Sequence, residues 1–330
     1  GVDKMPDSFI ESQRSRQPVI GLALGGGGLR GTAHIGVLEV LRSKGLPIHM
    51  AAGTSAGSVI AMLHALGWTP EDMRNLLAEI EIKDLVDHVI NVRSLILIGI
   101  KTILDRLSLP HGWLPPTPLG FVKGKKFYRL LCRLSRQQHF SDIDFPLFIT
   151  ATNLCNGRLV CFCPPRAAAQ LGPQRPEVIF TADASLAEAV RASTAIPGIF
   201  EPLIWQGHLL VDGGLKNNVP ADLLRWAGAD IIIAVDLGFH SQDSGEIDTI
   251  LEILIQSLDI MGQTSTELRL EQTADVVIQP ATGTASLTDI EKVPGIIEAG
   301  RQAALEAWPQ IALLVQNFAK RRSKVQPNFS

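Results

Sequence analysis

The chain has 330 residues, of which 46% are hydrophobic and 19% are charged, a composition typical of folded globular proteins and not of disordered ones. Lys and Arg number 30 against 33 Asp and Glu, and this net charge of −3 argues against a protein whose main role is to bind nucleic acid. The longest apolar stretch in the most hydrophobic region, residues 94–100, is too short for a membrane-spanning helix, which needs about 18 apolar residues.

Short apolar runs alternate with helical patterns along most of the chain. Strands are predicted at residues 18–24, 48–52, 147–152, 158–162, 208–211 and 230–235. Helices are predicted from residue 31, and at 56–66, 71–80, 125–136, 186–193, 221–226, 247–270 and 294–319. This alternation indicates βαβ units, so we expect an α/β fold of three α/β/α layers with a mainly parallel central sheet.

No low-complexity linker divides the chain, so we predict a single domain. A polar N-terminal extension (1–17) precedes a core (18–237), and residues 238–330 form a helical C-terminal part of the same domain. The core carries an insertion at about 84–124, which combines the apolar run 95–100 with a segment rich in proline and glycine. This insertion is either a peripheral helix and loop that cover the sheet, or a lid or membrane-touching segment near a lipid site.

The termini and cysteines indicate the compartment. Residues 1–17 contain no apolar core of a secretory signal, and four cysteines in a chain of this length do not form a disulfide framework. We therefore expect a cytoplasmic protein, with peripheral contact to a membrane left open. Position 1 is not methionine, which leaves open that an upstream segment was removed.

The first motif is the glycine-rich run 25–31, which follows the first predicted strand. Gly26, Gly28 and Gly31 fit the G-x-G-x-x-G of a dinucleotide-binding turn. Such a turn expects an acidic residue at the end of the second strand, where this chain has Ala51 and Ala52, so the dinucleotide interpretation is weak. Consecutive backbone N–H groups before a helix still stabilise an anion, including one that forms only in a transition state.

The second motif is a G-x-S-x-G at residues 53–57, between a predicted strand and a predicted helix. In such a sharp turn Gly53 and Gly57 relieve crowding, and Ser55 stands at the helix N-terminus, where the helix dipole favours a developing alkoxide. The pattern predicts a nucleophilic serine, and the alternative is a serine in a purely structural turn.

A nucleophilic serine needs a base, and two candidates stand out. Asp212, followed by Gly213 and Gly214, ends the predicted strand 208–211 at the edge of the sheet where α/β active sites collect. The alternative for Asp212 is a structural turn aspartate. His240 is the best placed of the eight histidines for a Ser–His–Asp triad, although the nucleophile of an α/β-hydrolase normally follows more strands than it does here.

Taken together and in this order, the glycine loop, the G-x-S-x-G and the D-G-G motif resemble the patatin-like phospholipase family. The stretches 192–202 and 211–220 and the strand pair 148–162 are similar to it as well, so the resemblance runs from about residue 19 to 237. The chain looks closer to the compact bacterial members than to the plant storage forms. The resemblance implies a serine hydrolase that cleaves acyl esters of phospholipids, lysophospholipids or related lipids.

The resemblance also implies roles for individual residues. Ser55 would be the nucleophile and Asp212 the base that takes its proton without a histidine, while Gly31, Gly53, Gly57, Gly213 and Gly214 complete the motifs. The oxyanion hole would be formed by the backbone amides of Gly26, Gly27 and Gly28, with Arg30 near it. It implies no cofactor and no metal. Cys155, Cys161 and Cys163 lie along a predicted strand, so we interpret them as reduced, buried thiols and not as a metal cluster.

Two other functions remain open at this point. One is a soluble esterase or thioesterase that acts on small acyl substrates. The other is a non-catalytic regulatory protein built on the same scaffold, although the presence of Ser55, Asp212 and the glycine loop argues against it.

Overall fold

The computed structural model describes residues 17–80, 87, 100–110, 112, 114, 119–238, 250–283, 285 and 289–323. Its strands are β1 Ile20–Leu24, β2 Met50–Gly53, β3 Gly120–Val122, β4 Leu147–Asn153, β5 Leu159–Phe162, β6 Val178–Thr181, β7 Gly198–Phe200, β8 Leu203–Trp205, β9 His208–Asp212, β10 Ile231–Val235 and β11 Val276–Ile278. Its helices are α1 Ala33–Ser43, α2 Ala56–Ala65, α3 Pro70–Glu79, α4 Lys125–Leu134, α5 Pro165–Leu171, α6 Leu186–Ser193, α7 Ala221–Trp226, α8 Ile250–Thr273 and α9 Val293–Ser323. A short 3-10 helix, Gly28–Thr32, leads into α1, and residues 100–106 are also helical.

The centre of the molecule is a mainly parallel sheet, as predicted. Its main path runs β11-β10-β1-β2-β4-β5-β6, with β9 paired to β4 and β8 paired to β9. Among the strands that the structure describes, the antiparallel pairs of this sheet are β4–β5, β4–β9 and β8–β9. Within the described residues, β3 and β7 form a separate two-stranded parallel sheet.

Helices cover both faces of the sheet, which gives the predicted three layers. Side chains alternate between the faces along each strand, so Leu22 and Ile233 join one apolar core whereas Ala23 and Ile232 join the other. The first core includes residues of α1, α2, α4, α6 and α9, and the second includes residues of α5, α7 and α8. Across the described parts of the chain, no helix combines the length and the apolar character that crossing a membrane requires.

The predicted elements correspond closely to the observed ones where the pattern is strong. Helices α6 and α7 have the predicted bounds, and β4, β5, β9 and β10 differ from the prediction by one residue at one end. The strands β3, β6, β7, β8 and β11 and the helix α5 were not predicted. Four of these strands have only three residues, too few to show a period in the sequence. Residues 1–16 of the predicted N-terminal extension lie outside the described residues. The same holds for residues 239–249, 284, 286–288 and 324–330 of the predicted C-terminal part.

Candidate active site

The G-x-S-x-G motif forms a sharp turn between β2 and α2. Ser55 has φ 50° and ψ −125°, a conformation that costs free energy for a residue with a side chain. The flanking glycines allow the backbone to pass closely: a Cβ on Gly53 would lie 2.5 Å from the carbonyl oxygen of Gly57, and one on Gly57 would overlap the carbonyl oxygen of Leu24. The N–H of Ser55 donates to the Oγ of Ser193, at the end of α6, over 2.8 Å.

Asp212 is the last residue of β9 and is buried, with 7% of its surface exposed. Its Oδ1 accepts a hydrogen bond of 2.8 Å from the N–H of Gly214. This bond closes the turn that the D-G-G motif forms. Burial raises the pKa of Asp212 to about 6, opposed by hydrogen bonds from the Ser55 side chain and the Gly214 N–H, while the charge of Asp259 raises it further.

The register of the sheet explains why Ser55 and Asp212 meet. Strand β2 runs parallel to β4 and ends with Gly53 opposite Ile149. Strand β9 runs antiparallel to the same β4 and ends with Asp212 opposite Ala151, two residues farther along. Strand β5 pairs with β4 along its other edge, so β2 and β9 lie on the same edge of β4. They run in opposite directions there, and the ends of the two strands, which carry the two motifs, meet.

The glycine-rich loop lies directly beside Ser55. A Cβ on Gly26 would lie 3.1 Å from the Cβ of Ser55, and one on Gly31 would overlap that of Ala56. The N–H of Gly26 donates to the carbonyl oxygen of Asn218 at 3.2 Å, so this amide is engaged. The N–H groups of Gly27 and Gly28 make no hydrogen bond to another residue of the described structure, so they are the better candidates for binding an oxyanion.

Two side chains hold this loop: His34, to which the sequence analysis gave no role, and Arg30, which it placed near the oxyanion hole. The Nε2 of buried His34 hydrogen-bonds the carbonyl oxygen of Gly25 at 2.8 Å, and burial lowers the pKa of His34 to about 4. His34 is therefore neutral near pH 7 and donates from Nε2. The Nε of Arg30 donates to the carbonyl oxygen of Gly27 at 3.4 Å, and its guanidinium pairs with Asp259 of α8 at 2.9 Å.

The remaining candidates fall elsewhere. His240 lies outside the described residues, as do residues 95–99 of the apolar run in the insertion. Cys161 and Cys163 are buried free thiols on or next to β5, as expected, whereas Cys155 is exposed and not buried, because it lies in the turn between β4 and β5. Within the residues that the structure describes, no group of three His, Cys, Asp or Glu side chains could hold a metal ion.

Sequence reasoning missed the roles of Ser193 and Asp259. Ser193 lies within the stretch 192–202 that was noted for its resemblance to a family, but its contact with Ser55 depends on how α6 packs. Asp259 lies in the middle of a long helix, where nothing in the pattern distinguishes it from a solvated residue.

Comparisons with known proteins point to one family. A sequence model described as patatin-like phospholipase matches residues 22–225, more than half of the chain. Patatin-like phospholipase domain-containing protein 6 of Mus musculus is 32% identical over 232 residues, which cover 70% of this chain and 14% of that protein. Lysophospholipase NTE1 of Mycosarcoma maydis is 30% identical over 219 residues, 66% of this chain and 10% of that protein. The chain thus spans a small part of the length of these relatives.

Among solved structures, the crystal structure of VipD from Legionella pneumophila has a TM-score of 0.48 and 16% sequence identity, and the match covers 92% of this chain and 67% of that one. Structural similarity at this level adds no argument about function.

Proposed function

The chain belongs to the patatin-like phospholipase family, and on that premise we propose that it hydrolyses acyl ester bonds of phospholipids, lysophospholipids or related lipids through Ser55 and Asp212. The observation that carries this proposal is the juxtaposition of three groups. A serine in a strained turn hydrogen-bonds a buried carboxylate and lowers its pKa, and the loop beside it carries two N–H groups without a partner in the described structure.

In the proposed first step, the Oγ of Ser55 attacks the ester carbonyl carbon while Asp212 accepts the hydroxyl proton. The carbonyl oxygen becomes an oxyanion, which the N–H groups of Gly27 and Gly28 stabilise; in comparable sites one such donor contributes about 10²- to 10³-fold in rate. The intermediate then collapses to an acyl-enzyme, and Asp212 returns its proton to the departing alcohol.

In the second step, Asp212 takes a proton from a water molecule, and the resulting nucleophile attacks the acyl carbon of the Ser55 ester. Collapse of this second intermediate breaks the bond to the Ser55 Oγ, which recovers the proton from Asp212, and releases the fatty acid. One water molecule is consumed, and both residues return to their starting state.

An ordinary aspartate, with a pKa near 3.9, is a weak base for an alcohol. Burial raises the pKa of Asp212 to about 6, which makes the carboxylate a better proton acceptor while leaving it ionised at neutral pH. The dyad therefore gains from the loss of water around Asp212, and we expect activity to fall as the pH drops through about 6.

A fluorophosphonate probe tests the nucleophile directly. We expect it to label the folded protein at Ser55 and to leave Ser55→Ala unlabelled, whereas Ser43→Ala, which removes an exposed hydroxyl at the end of α1, should be labelled like the unchanged protein. Absence of labelling in the folded protein, or labelling that persists in Ser55→Ala, would contradict the proposal.

A substrate panel then separates the lipid hydrolase from the esterase alternative. Phospholipid vesicles, lysophospholipids and short nitrophenyl esters should all be hydrolysed if the substrates are lipids. Turnover confined to the short esters would favour a soluble esterase on small acyl substrates.

A further inference from the structure

A strip of exposed apolar and positively charged side chains runs from the start of β3 into the first turn of α4. Leu119, Phe121 and Lys123 are exposed at alternate positions, and Lys125 and Lys126 are exposed at the start of the helix. The residues between the first three are buried, so the exposed ones share the outward side of the strand. These five residues are named the rim, which begins within the predicted insertion.

The strand of the rim lies close to Asp212. Strand β3 pairs with β7, with Gly120 opposite Gly198. Three residues before Gly198, the carbonyl oxygen of Ala195 accepts the N–H of Asp212 at 3.0 Å. Three residues span at most about 11 Å, so β7 begins within that distance of a residue that contacts Asp212. The rim therefore borders the catalytic edge of the sheet, where β2 and β9 end at the proposed catalytic residues.

The orientation of α4 places its first turn at the same edge. The carbonyl oxygen of Lys123, just before α4, accepts a hydrogen bond of 3.0 Å from Arg191, near the end of α6. The carbonyl oxygen of Gln138, after α4, accepts the N–H of Leu186, at the start of α6, at 2.9 Å. Helix α4 thus runs antiparallel to α6, and the rim lies at the end of α6 that contacts Ser55.

The rim carries part of a local surplus of positive charge. Residues 123–136 include six Lys and Arg and no Asp or Glu, in a chain whose net charge is −3. All six side chains are exposed. The four on α4 fall within an arc of about 100°, on the opposite side from the buried Leu130, Leu131 and Leu134. This surplus faces outward and attracts an anionic surface.

Exposed apolar side chains continue on the other layer of the molecule at the same edge. Leu215, three residues after Asp212, is exposed. Ile260 and Met261 of α8 are exposed as well, directly after the Asp259 that pairs with Arg30 beside the glycine-rich loop. The catalytic edge is therefore flanked by exposed apolar residues on both faces of the sheet, and the positive charge is concentrated on the side of α4.

Resting on the proposed hydrolase function, we propose that the rim docks the protein onto the anionic surface of a lipid bilayer. Leu119 and Phe121 enter the boundary between head groups and acyl chains, and the lysines bind the lipid phosphates. The exposed apolar pair beside the cations favours a bilayer over nucleic acid, which needs the charges alone. This orientation brings the catalytic edge against the membrane, so a lipid reaches Ser55 without crossing bulk water.

Binding is measured apart from hydrolysis by using the full chain with Ser55→Ala. Cosedimentation compares vesicles of phosphatidylcholine with about one third phosphatidylglycerol to vesicles of phosphatidylcholine alone. We expect tighter binding to the anionic vesicles and a loss of this preference at high salt, because salt screens the charges.

A matched pair of variants in this background tests the position of the charges. Lys123→Gln with Lys125→Gln removes two exposed positive charges from the rim, and Arg133→Gln with Arg136→Gln removes two from the far end of α4. We expect the rim variant to bind anionic vesicles about 10- to 30-fold more weakly, which corresponds to about three- to fivefold per lysine. The far variant should lose less than about threefold, because Arg133 lies about 12 Å along the helix from Lys125, beyond the screening length of about 8 Å.

A second pair tests the apolar contact. Phe121→Ala removes an exposed side chain of the rim, and Leu313→Ala removes one from α9. Leu313 lies at the opposite edge of the sheet, since its neighbour Ala312 lines a cavity with Pro18, just before β1. We expect Phe121→Ala to weaken vesicle binding by about tenfold at low and at high salt, and Leu313→Ala to leave it unchanged.

The outcomes separate docking from hydrolysis. The rim is wrong if vesicles are not bound, if both charge variants lose binding equally, or if RNA is bound and vesicles are not. In any of these cases the hydrolase proposal survives as long as a soluble fluorophosphonate labels Ser55. If the rim variants lose vesicle binding as expected but the probe never labels Ser55, the docking surface stands and the proposed function fails.

Discussion

The environment of Asp212 compensates for the absence of a histidine in the proposed dyad. Within the part of the chain that the structure describes, no histidine contacts Ser55, and His34, which holds the glycine-rich loop, is kept neutral by burial. A buried carboxylate with a pKa of about 6 gives a similar match to neutral pH as an imidazole does. The burial of Asp212 at the end of β9 thus sets its strength as a proton acceptor.

If Ser55 and Asp212 act as one unit, their losses should not add. We expect Ser55→Ala and Asp212→Asn each to lower kcat by about 10³- to 10⁶-fold, and the double variant to be little worse than either single one. His240→Ala should leave kcat within a few fold, since no proton passes through it. The measurement is kcat of each variant on one ester substrate, after cooperative unfolding has shown that the variant is folded. A folded but inactive His240→Ala would overturn the dyad in favour of a triad.

The raised pKa of Asp212 also has a consequence for stability. Its folded-state pKa, about 6, exceeds the ordinary value of 3.8, so the folded state holds this proton over a pH range in which the unfolded chain has lost it. Stability is therefore lost as the pH rises from about 4 to 6, by up to about 3 kcal/mol for a shift of about two pH units.

Asp212→Asn removes this cost while it keeps an oxygen for the N–H of Gly214. We expect the variant to be more stable than the unchanged protein at pH 8, by up to about 3 kcal/mol, and the difference to vanish towards pH 4. Urea unfolding at the two pH values measures it. If the free energies of unfolding of the two proteins differed equally at pH 4 and pH 8, Asp212 would not be the group responsible.

At the scale of elements, the glycine-rich loop offers a matched pair of glycines. Gly28, beside the proposed oxyanion, has φ 56°, and Gly45, in the turn after α1, has φ 68° with no atom within 4 Å of an added Cβ. Alanine should therefore cost a similar 1–2 kcal/mol of stability, roughly, at both positions, because both impose a left-handed conformation. We expect Gly28→Ala also to lower kcat by at least about tenfold, since its N–H is displaced, whereas Gly45→Ala retains full turnover. Thermal unfolding and initial rates test the pair, and equal turnover would exclude Gly28 from the oxyanion hole.

The elements that carry the motifs could be predicted, but their meeting could not. The buried runs of β1 and β2 are followed by glycines and helical patterns, so both turns are visible in the sequence. The approach of Ser55 to Asp212 depends on β2 and β9, which lie more than 150 residues apart in the chain, both pairing with β4 on the same side. Three-residue strands such as β8, which pairs with β9, leave no period to read.

At the scale of the whole molecule, the proposed site extends beyond the segment that the family model matches. That match ends at residue 225, yet Val235 of β10 accepts the N–H of Gly25, and an added Cβ on Gly27 would lie 3.0 Å from Leu237. Farther along, Asp259 of α8 pairs with Arg30 and its charge raises the pKa of Asp212. Residues beyond the matched segment therefore contact the glycine-rich loop and influence the pKa of Asp212.

This link predicts a shift of the pH profile from a residue that does not touch the substrate. Asp259→Asn removes a negative charge near Asp212 and leaves the positive charge of Arg30 without its partner, and both changes favour the ionised form of Asp212. The pKa of Asp212 should fall, so the acid limb of the kcat/KM profile, expected near pH 6, should move to lower pH. Asp142→Asn, which removes an exposed carboxylate beside His139, should leave the limb in place. Profiles at constant ionic strength make the comparison, and a limb that stays fixed or moves upward in Asp259→Asn would show that α8 does not set the charge state of the dyad.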